Sequence, residues 1–377
     1  MSRTRFLLAA AVVGALLVAA VSRPSPDPLP ENGLPSLPAR TAKEPAESCA
    51  AVMTGLSLRR QLAQLVVVGV DAGDVTSTVR LVRTEQVGGI FVGGNATAVL
   101  RDSALSQVQA VAGVPVSVAV DDEGGRVQRI DALDGPLPSA RTVASAMHPD
   151  QVHELGVRRG RALRARGVTT DYAPVLDVSD QPAGAVIGDR SYGSAPAAVA
   201  AYAYAFAAGL RESGVTPVFK HFPGHGHARG DSHRVLPETP PLHRLTATDL
   251  PPYERLAEFG AAGVMVGHLA VPGLTDGQPA SLSAAAYRLL RDGYHFSGVA
   301  VTDDLGAMRA ITATHPLPEA ALLALRAGAD QALWSSGGHV PAVLDRLEAA
   351  VAAGELPPER VREAVHRVLV AKSACGA

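Results

Sequence analysis

The chain has 377 residues, 47% of them hydrophobic, with 34 basic against 36 acidic side chains and a formal net charge of -2. That length suits one large α/β barrel or two modest domains, and the apolar fraction supplies a sizeable core. With no long basic run and aromatics at only 4%, neither an electrostatic grip on phosphates nor a base-stacking surface is supported, so no nucleic-acid partner is expected.

Residues 1–22 read as a targeting segment. Arg3 and Arg5 precede an unbroken apolar run from Phe6 to Val21, the charged and apolar regions of a secretory signal. The run is short of the ~20 residues of a comfortable membrane span. The segment is therefore a cleaved signal peptide or a signal anchor, and the body is expected to be exported, either secreted or tethered at the outer face of the cell membrane. Residues 23–47 carry seven prolines (24, 26, 28, 30, 35, 38 and 45) and almost no apolar periodicity. Such a stretch is extended and semi-rigid, a spacer rather than a core. The folded body is left to residues 48–377. Cys49 and Cys375 are the only cysteines. In an exported chain an even pair predicts a disulfide, and a closed barrel would bring its first and last elements together to form it.

From residue 50 onward, short apolar runs alternate with helical patterns. The runs are 64–70, 88–94, 115–125, 170–178, 216–224, 263–272, 298–305 and 329–334. Amphipathic stretches such as 105–112, 198–212, 253–259 and 318–327 separate them. Eight β-rich runs alternating with helices predict a parallel sheet closed into a (β/α)8 TIM-type barrel, a single catalytic domain. A two-domain doubly wound fold is the alternative. Five runs end in polar groups: Asp121, Asp122 and Glu123; Asp177; Lys220 and His221; His268; Asp303 and Asp304. Barrel enzymes carry their chemistry at the C-terminal ends of strands.

The densest chemistry lies in KHFPGHGHARGDSH, Lys220 to His233. Asp231 stands two residues before His233, and a carboxylate beside an imidazole fixes its tautomer and makes it a credible acid or base. Gly224, Gly226 and Gly230 suggest a mobile loop that swings this pair over bound substrate. A metal reading has His225 and His227 as an H-x-H pair. The first run, where such a pair usually sits in zinc hydrolase barrels, holds no histidine, so no metal is expected. A phosphate cradle lacks the required glycine–lysine pattern. Asp303 and Asp304 close the seventh run and point to opposite faces, so either is a candidate nucleophile by position alone.

KHFPGHG followed by DSH and LP resembles glycoside hydrolase family 3, in its single-domain β-N-acetylglucosaminidase branch. VDDEGGRVQR (120–129), APVLDV (173–178), IGDRSYG (187–193), PASLS (279–283), GVAVTDDLGAM (298–308) and ALRAGAD (324–330) agree in order, and the likeness spans residues ~50 to 370. The resemblance implies Asp303 as nucleophile, His233 as acid/base oriented by Asp231, and Asp121, Arg126, Arg190, Lys220 and His221 as sugar-binding positions. It implies a retaining exo-β-N-acetylglucosaminidase without cofactor, acting on N-acetylglucosamine-containing glycans such as peptidoglycan fragments; a monomer is expected. A β-glucosidase or a phosphorylase on the same scaffold is the near rival, and a non-catalytic wall-glycan-binding barrel the distant one. Two departures stand out. His227 and Arg229 fill a stretch that varies within the branch, and Asp122 replaces a common glutamine. Many members have a second domain, for which the stretch after the last predicted helix (357–373) leaves no room.

Overall fold

The computed structural model describes residues 46–375. The predicted targeting segment 1–22 and residues 23–45 of the predicted linker lie outside these. The first helix, Ala46–Thr54, takes in the last two residues of that predicted linker.

Eight strands follow in chain order: β1 Val66–Val70, β2 Gly89–Val92, β3 Ser117–Val120, β4 Thr170–Asp171, β5 Thr216–Phe222, β6 Gly263–Val266, β7 Val299–Thr302 and β8 Ala332–Trp334. Each lies within one of the eight predicted runs. All neighbours are parallel, in the order β7-β6-β5-β4-β3-β2-β1-β8. β7 meets β8 through the bridge Val301–Gln331, which closes the barrel. The fold is the TIM-type barrel that the alternation of runs and helices predicts.

The runs are short and Val-rich because both sheet faces are buried, one under helices and one inside the barrel. β4 is the exception in length. After Asp171 its run continues as extended chain through the cis bond Ala173–Pro174, with the Ala173 carbonyl accepting from the Val218 N–H at 3.0 Å, and pairs with β5 again at the bridge Val175–Lys220. A proline offers no donor to the ladder.

Inside the barrel, Val67, Phe91, Ala119, Tyr172, Val218, Met265, Val301 and Leu333 form one apolar layer, a side chain from each strand or the residue just past it. Alternation along each strand puts the inward residue two positions further on in the next layer. That layer holds Asp121, Lys220 and Asp303, which therefore rest on an apolar plug at the C-terminal ends of β3, β5 and β7.

At the other end of the chain, helix Pro358–Ala371 leads to Cys375, which is bonded to Cys49 with their Cα atoms 4.7 Å apart. The bridge joins residues 326 apart in sequence. In the chain-entropy view so long a closure stabilises by on the order of 5 kcal/mol.

Candidate active site

A cleft of about 610 Å³ opens over the apolar plug, lined by Asp121, Glu123, Arg129, Arg190, Lys220, His221, His225, His233 and Asp303 among others. A larger hollow of about 950 Å³ lies at the opposite end, where Ser117, Thr170, Thr216 and Val299 begin their strands. None of the residues lining that hollow is an aspartate or glutamate. The smaller cleft is the one with convergent acid, base and cation chemistry, and it is assigned as the site on that ground.

Its floor is a charge cluster. The Lys220 side chain is 2% exposed, and its ammonium lies 2.8 Å from Asp121 Oδ1 and 2.6 Å from Glu123 Oε1. Arg190 grips Glu123 with two bonds, Nε to Oε2 at 2.8 Å and Nη2 to Oε1 at 2.7 Å. Burial would raise the Glu123 carboxyl, but Arg190 and Lys220 outweigh it and hold the group far below its usual range. Burial likewise disfavours the Lys220 cation, and Asp121 and Glu123 reverse that effect and raise it. A half-satisfied cluster of this kind would be costly, so its closure fixes the geometry of each member.

Asp177, in the run after β4, completes the floor. Its Oδ2 lies 2.6 Å from His221 Nδ1, and its Oδ1 accepts from the main-chain N–H of His221 at 3.2 Å and of His225 at 2.6 Å. Burial raises the Asp177 carboxyl, but His221 and His225 bring it below the ordinary range. The other ring nitrogen of His221, Nε2, faces Arg190 Nη2 at 3.4 Å.

Asp303 follows β7 and is 8% exposed at the cleft floor. Its Oδ1 accepts from the Asp304 N–H at 2.9 Å. Burial raises this carboxyl too, yet His268, His221, the Asp304 amide and Lys220 together pull it below its ordinary value. It is therefore an anion at neutral pH, the form a nucleophile needs.

Asp304 points elsewhere, as alternation requires. It accepts from the amides of Gly306 (2.8 Å), Ala307 (3.1 Å) and Ser335 (3.1 Å) and from the Ser335 hydroxyl. His268 is a brace: Nε2 donates to the Asp304 carbonyl at 2.9 Å, and Nδ1 lies 2.7 Å from Ser281 Oγ.

His233 sits on the rim. Its Nδ1 and main-chain N–H lie 2.9 and 3.0 Å from Asp231 Oδ1, and its side chain is 64% exposed. Two of the three glycines in this loop are not hinges. A Cβ on Gly224 would lie 2.4 Å from Asp249 Cβ, and one on Gly226 would lie 1.8 Å from the Val178 carbonyl oxygen. They allow the loop root to pack tightly against its neighbours, so any swing begins beyond residue 226. The H-x-H pair diverges there. His227 turns to Asp249, with Nδ1 within 3.0 Å of both carboxylate oxygens, and that hydrogen bond raises its pKa. His225 packs edge-on against His221 with ring centroids 5.9 Å apart. Among the described residues, no three His, Cys, Asp or Glu side chains converge as metal ligands.

Of the predicted site residues, Asp121, Arg190, Lys220, His221, His233 and Asp303 line one cleft, with Asp231 directly behind His233. Arg126 does not join them. Its guanidinium is spent on the carbonyls of Ala183 (2.7 Å), Ala185 (2.6 Å), Val186 (3.0 Å) and Ile187 (3.2 Å) and on Asp189. It braces the loop that carries Arg190. Arg129, three residues on, lines the cleft instead, with Nη2 at 3.8 Å from Asp121 Oδ2. Asp122, at the unusual position, is fully buried. It takes Arg159 Nε at 2.6 Å and the amides of Arg129 (2.8 Å) and Ile130 (3.1 Å), pinning the loop that presents Arg129. Glu123, Arg129 and Asp177 are the site members that sequence reasoning left without a role. The acidic run DDE and the strand-end position of Asp177 were the signals available.

A barrel with a buried carboxylate, a closed charge cluster and an Asp–His pair above them has the parts of a group-transfer enzyme. Residues 57–371 match the glycosyl hydrolase family 3 N-terminal domain, and the chain belongs to that family of glycoside hydrolases. Beta-hexosaminidase LpqI of Mycobacterium tuberculosis is 47% identical over 386 residues, covering 98% of this chain and 97% of that protein. A solved structure of M. tuberculosis LpqI superposes with a TM-score of 0.84 at 50% identity, covering 86% of this chain and 96% of that one. A family 3 β-N-acetylglucosaminidase from Paenibacillus gives a TM-score of 0.79 at 32% identity, over 85% of this chain and 64% of that one.

Proposed function

We propose that the protein is a retaining exo-β-N-acetylglucosaminidase that removes terminal β-linked N-acetylglucosamine, with peptidoglycan fragments or other cell-wall glycans as the source. The observation that carries this reading is the pairing of Asp303, buried and held ionised, with the exposed Asp231–His233 pair across one cleft. The names of the relatives favour the hexosaminide as substrate.

In this reading the Asp303 carboxylate attacks the anomeric carbon while His233 protonates the leaving oxygen. A glycosyl–Asp303 ester forms. His233, now a base, then takes a proton from water, and that water releases the sugar with its configuration retained. Asp231 keeps the His233 ring oriented through Nδ1. Asp121, Lys220, Arg190, Arg129 and His221 hold the sugar's hydroxyls and acetamido group. The protein works outside the cytoplasmic membrane, as a monomer, secreted or tethered through residues 1–47.

One experiment separates this from the rival activities. Nitrophenol release is followed from the 4-nitrophenyl β-glycosides of N-acetylglucosamine and of glucose, with and without phosphate. The expected result is turnover of the N-acetylglucosaminide, well above the glucoside and independent of phosphate. A preference for glucose marks a β-glucosidase. A phosphate-dependent rate yielding sugar 1-phosphate marks a phosphorylase, since a histidine acid meets an anionic acceptor without like-charge repulsion. Affinity for the sugar without turnover marks a binding protein.

A further inference from the structure

We infer that Asp177 is a positioning residue that turns His221 into a fixed hydrogen-bond acceptor for a hydroxyl of the bound sugar. The inference rests on the glycosidase reading above.

The argument starts from protons. A carboxylate accepts and cannot donate. With Asp177 Oδ2 at 2.6 Å from His221 Nδ1, the proton of a neutral ring sits on Nδ1, and Nε2 carries the lone pair. The second neighbour agrees. Arg190 Nη2 faces Nε2 at 3.4 Å, and a guanidinium can only donate. A proton on Nε2 would point at a cation. The two partners on opposite sides of the ring thus select the same tautomer. The Nε2–Arg190 contact is long for a hydrogen bond, whereas Arg190 is already gripped twice by Glu123 at 2.8 and 2.7 Å. Nε2 is therefore the weakly used acceptor among strong pairs, in a side chain that lines the cleft. A sugar hydroxyl donating to it completes the cluster.

Asp177 Oδ1 adds rigidity by holding the amides of His221 and His225, so the ring is fixed at its root as well as at its tip. The arrangement parallels the Asp231–His233 pair, but it is buried and serves binding instead of proton transfer.

The test reads tautomer and coupling. In the wild-type protein, ¹⁵N imidazole spectra near neutral pH are expected to show His221 protonated at Nδ1. A ring protonated at Nε2, alone or together with Nδ1, overturns the inference, and this readout needs no variant to fold. Asp177→Asn keeps the shape but puts an amide donor toward Nδ1, which forces the proton onto Nε2. On 4-nitrophenyl N-acetyl-β-glucosaminide, kcat/KM is expected to fall about 100-fold, short of the ~10⁴-fold seen where the tautomer of a general base is inverted. His221→Gln supplies an amide oxygen near the Nε2 position whatever stands at 177. On that background Asp177→Asn is expected to cost less than about threefold, a strong coupling of the two sites. An equal cost of Asp177→Asn on both backgrounds would mean that it acts through the main-chain amides alone, and the inference falls. If the wild type shows the Nδ1 tautomer but no N-acetylglucosaminide turnover, the proposed function fails while the tautomer assignment stands.

Discussion

The floor of the cleft and the loop above it are built on opposite plans. On the floor, Lys220, Glu123, Arg190, His221 and Asp177 each meet at least two partners, and Lys220 is 2% exposed. On the rim, the His233 side chain is 64% exposed and its ring has Asp231 as its polar partner. Burial, charge neutralisation and strand ends hold the floor still. The rim loop is held by the packing of Gly224 and Gly226, by the main-chain pairing of Arg229 with Glu238 and by the Ala310 N–H on the Ser232 carbonyl, so the freedom is that of the exposed His233 side chain itself. On the proposed reading, the contrast means that the sugar-binding floor is assembled before substrate arrives, whereas proton transfer is left to an exposed side chain with room to adjust. An acid that must reach a leaving oxygen and later a water gains from that freedom. A nucleophile and its sugar-binding partners gain from having none.

The comparison is broken most forcefully at its two chemical poles. Asp303→Ala is expected to lower kcat for the N-acetylglucosaminide by on the order of 10⁴- to 10⁶-fold, as loss of a covalent nucleophile does. His233→Ala is expected to cost about 10²- to 10⁴-fold on a natural glycan, the range of general acid–base catalysis. It should cost less on the 4-nitrophenyl glycoside, whose leaving group needs little protonation. Parallel rates for the two substrates in His233→Ala would remove the acid role.

Acid unfolding probes the floor. Glu123, Asp177 and Asp303 all have folded-state values below their ordinary ranges. Each contributes stability that is complete above the unfolded carboxylate range of about 4 and is lost as pH falls through the lower folded value. Denaturant melts at pH 6, 4 and 3 are expected to show stability flat from 6 toward 4 and dropping below it. A rise in stability on acidification would contradict the charge cluster.

The smallest expected effect separates root from tip. Hydrogen exchange of the amides at 233–235, which bond only within the local turn at Asp231, is expected to outpace that of His221 and His225, whose N–H groups are held by buried Asp177. Equal protection along the whole loop would erase the distinction between a fixed floor and an adjustable rim.

Much of this was legible from the chain. Eight buried parallel strands need eight apolar runs, and the runs stand out because Val-rich segments alternate with helical periodicity. Strand-end polarity placed Asp121, Lys220, His221 and Asp303 at one mouth. What stayed hidden depends on neighbours distant in sequence. Arg126 and Arg129 lie in an irregular loop, where no period tells which one faces the cleft; the sequence reading favours Arg126, and Arg129 is the one that lines it. Glu123 reads as one acid in a run of three until the fold brings it Lys220 and Arg190, 97 and 67 positions away. Gly224 and Gly226 look like hinges, because composition reports conformational freedom but not close approach. The choice between Asp303 and Asp304 needed the amides of Gly306, Ala307 and Ser335, which claim Asp304.

The central claim is that Asp303 on the fixed floor acts as nucleophile, and the most direct measurement is the stereochemistry of the first product. Proton NMR of a fresh digest of 4-nitrophenyl N-acetyl-β-glucosaminide, recorded before mutarotation, resolves the two anomers. The account predicts the β-anomer of N-acetylglucosamine first, with the α-anomer appearing only as mutarotation proceeds. An initial α-anomer would mean single displacement by water, and would contradict a covalent intermediate on Asp303.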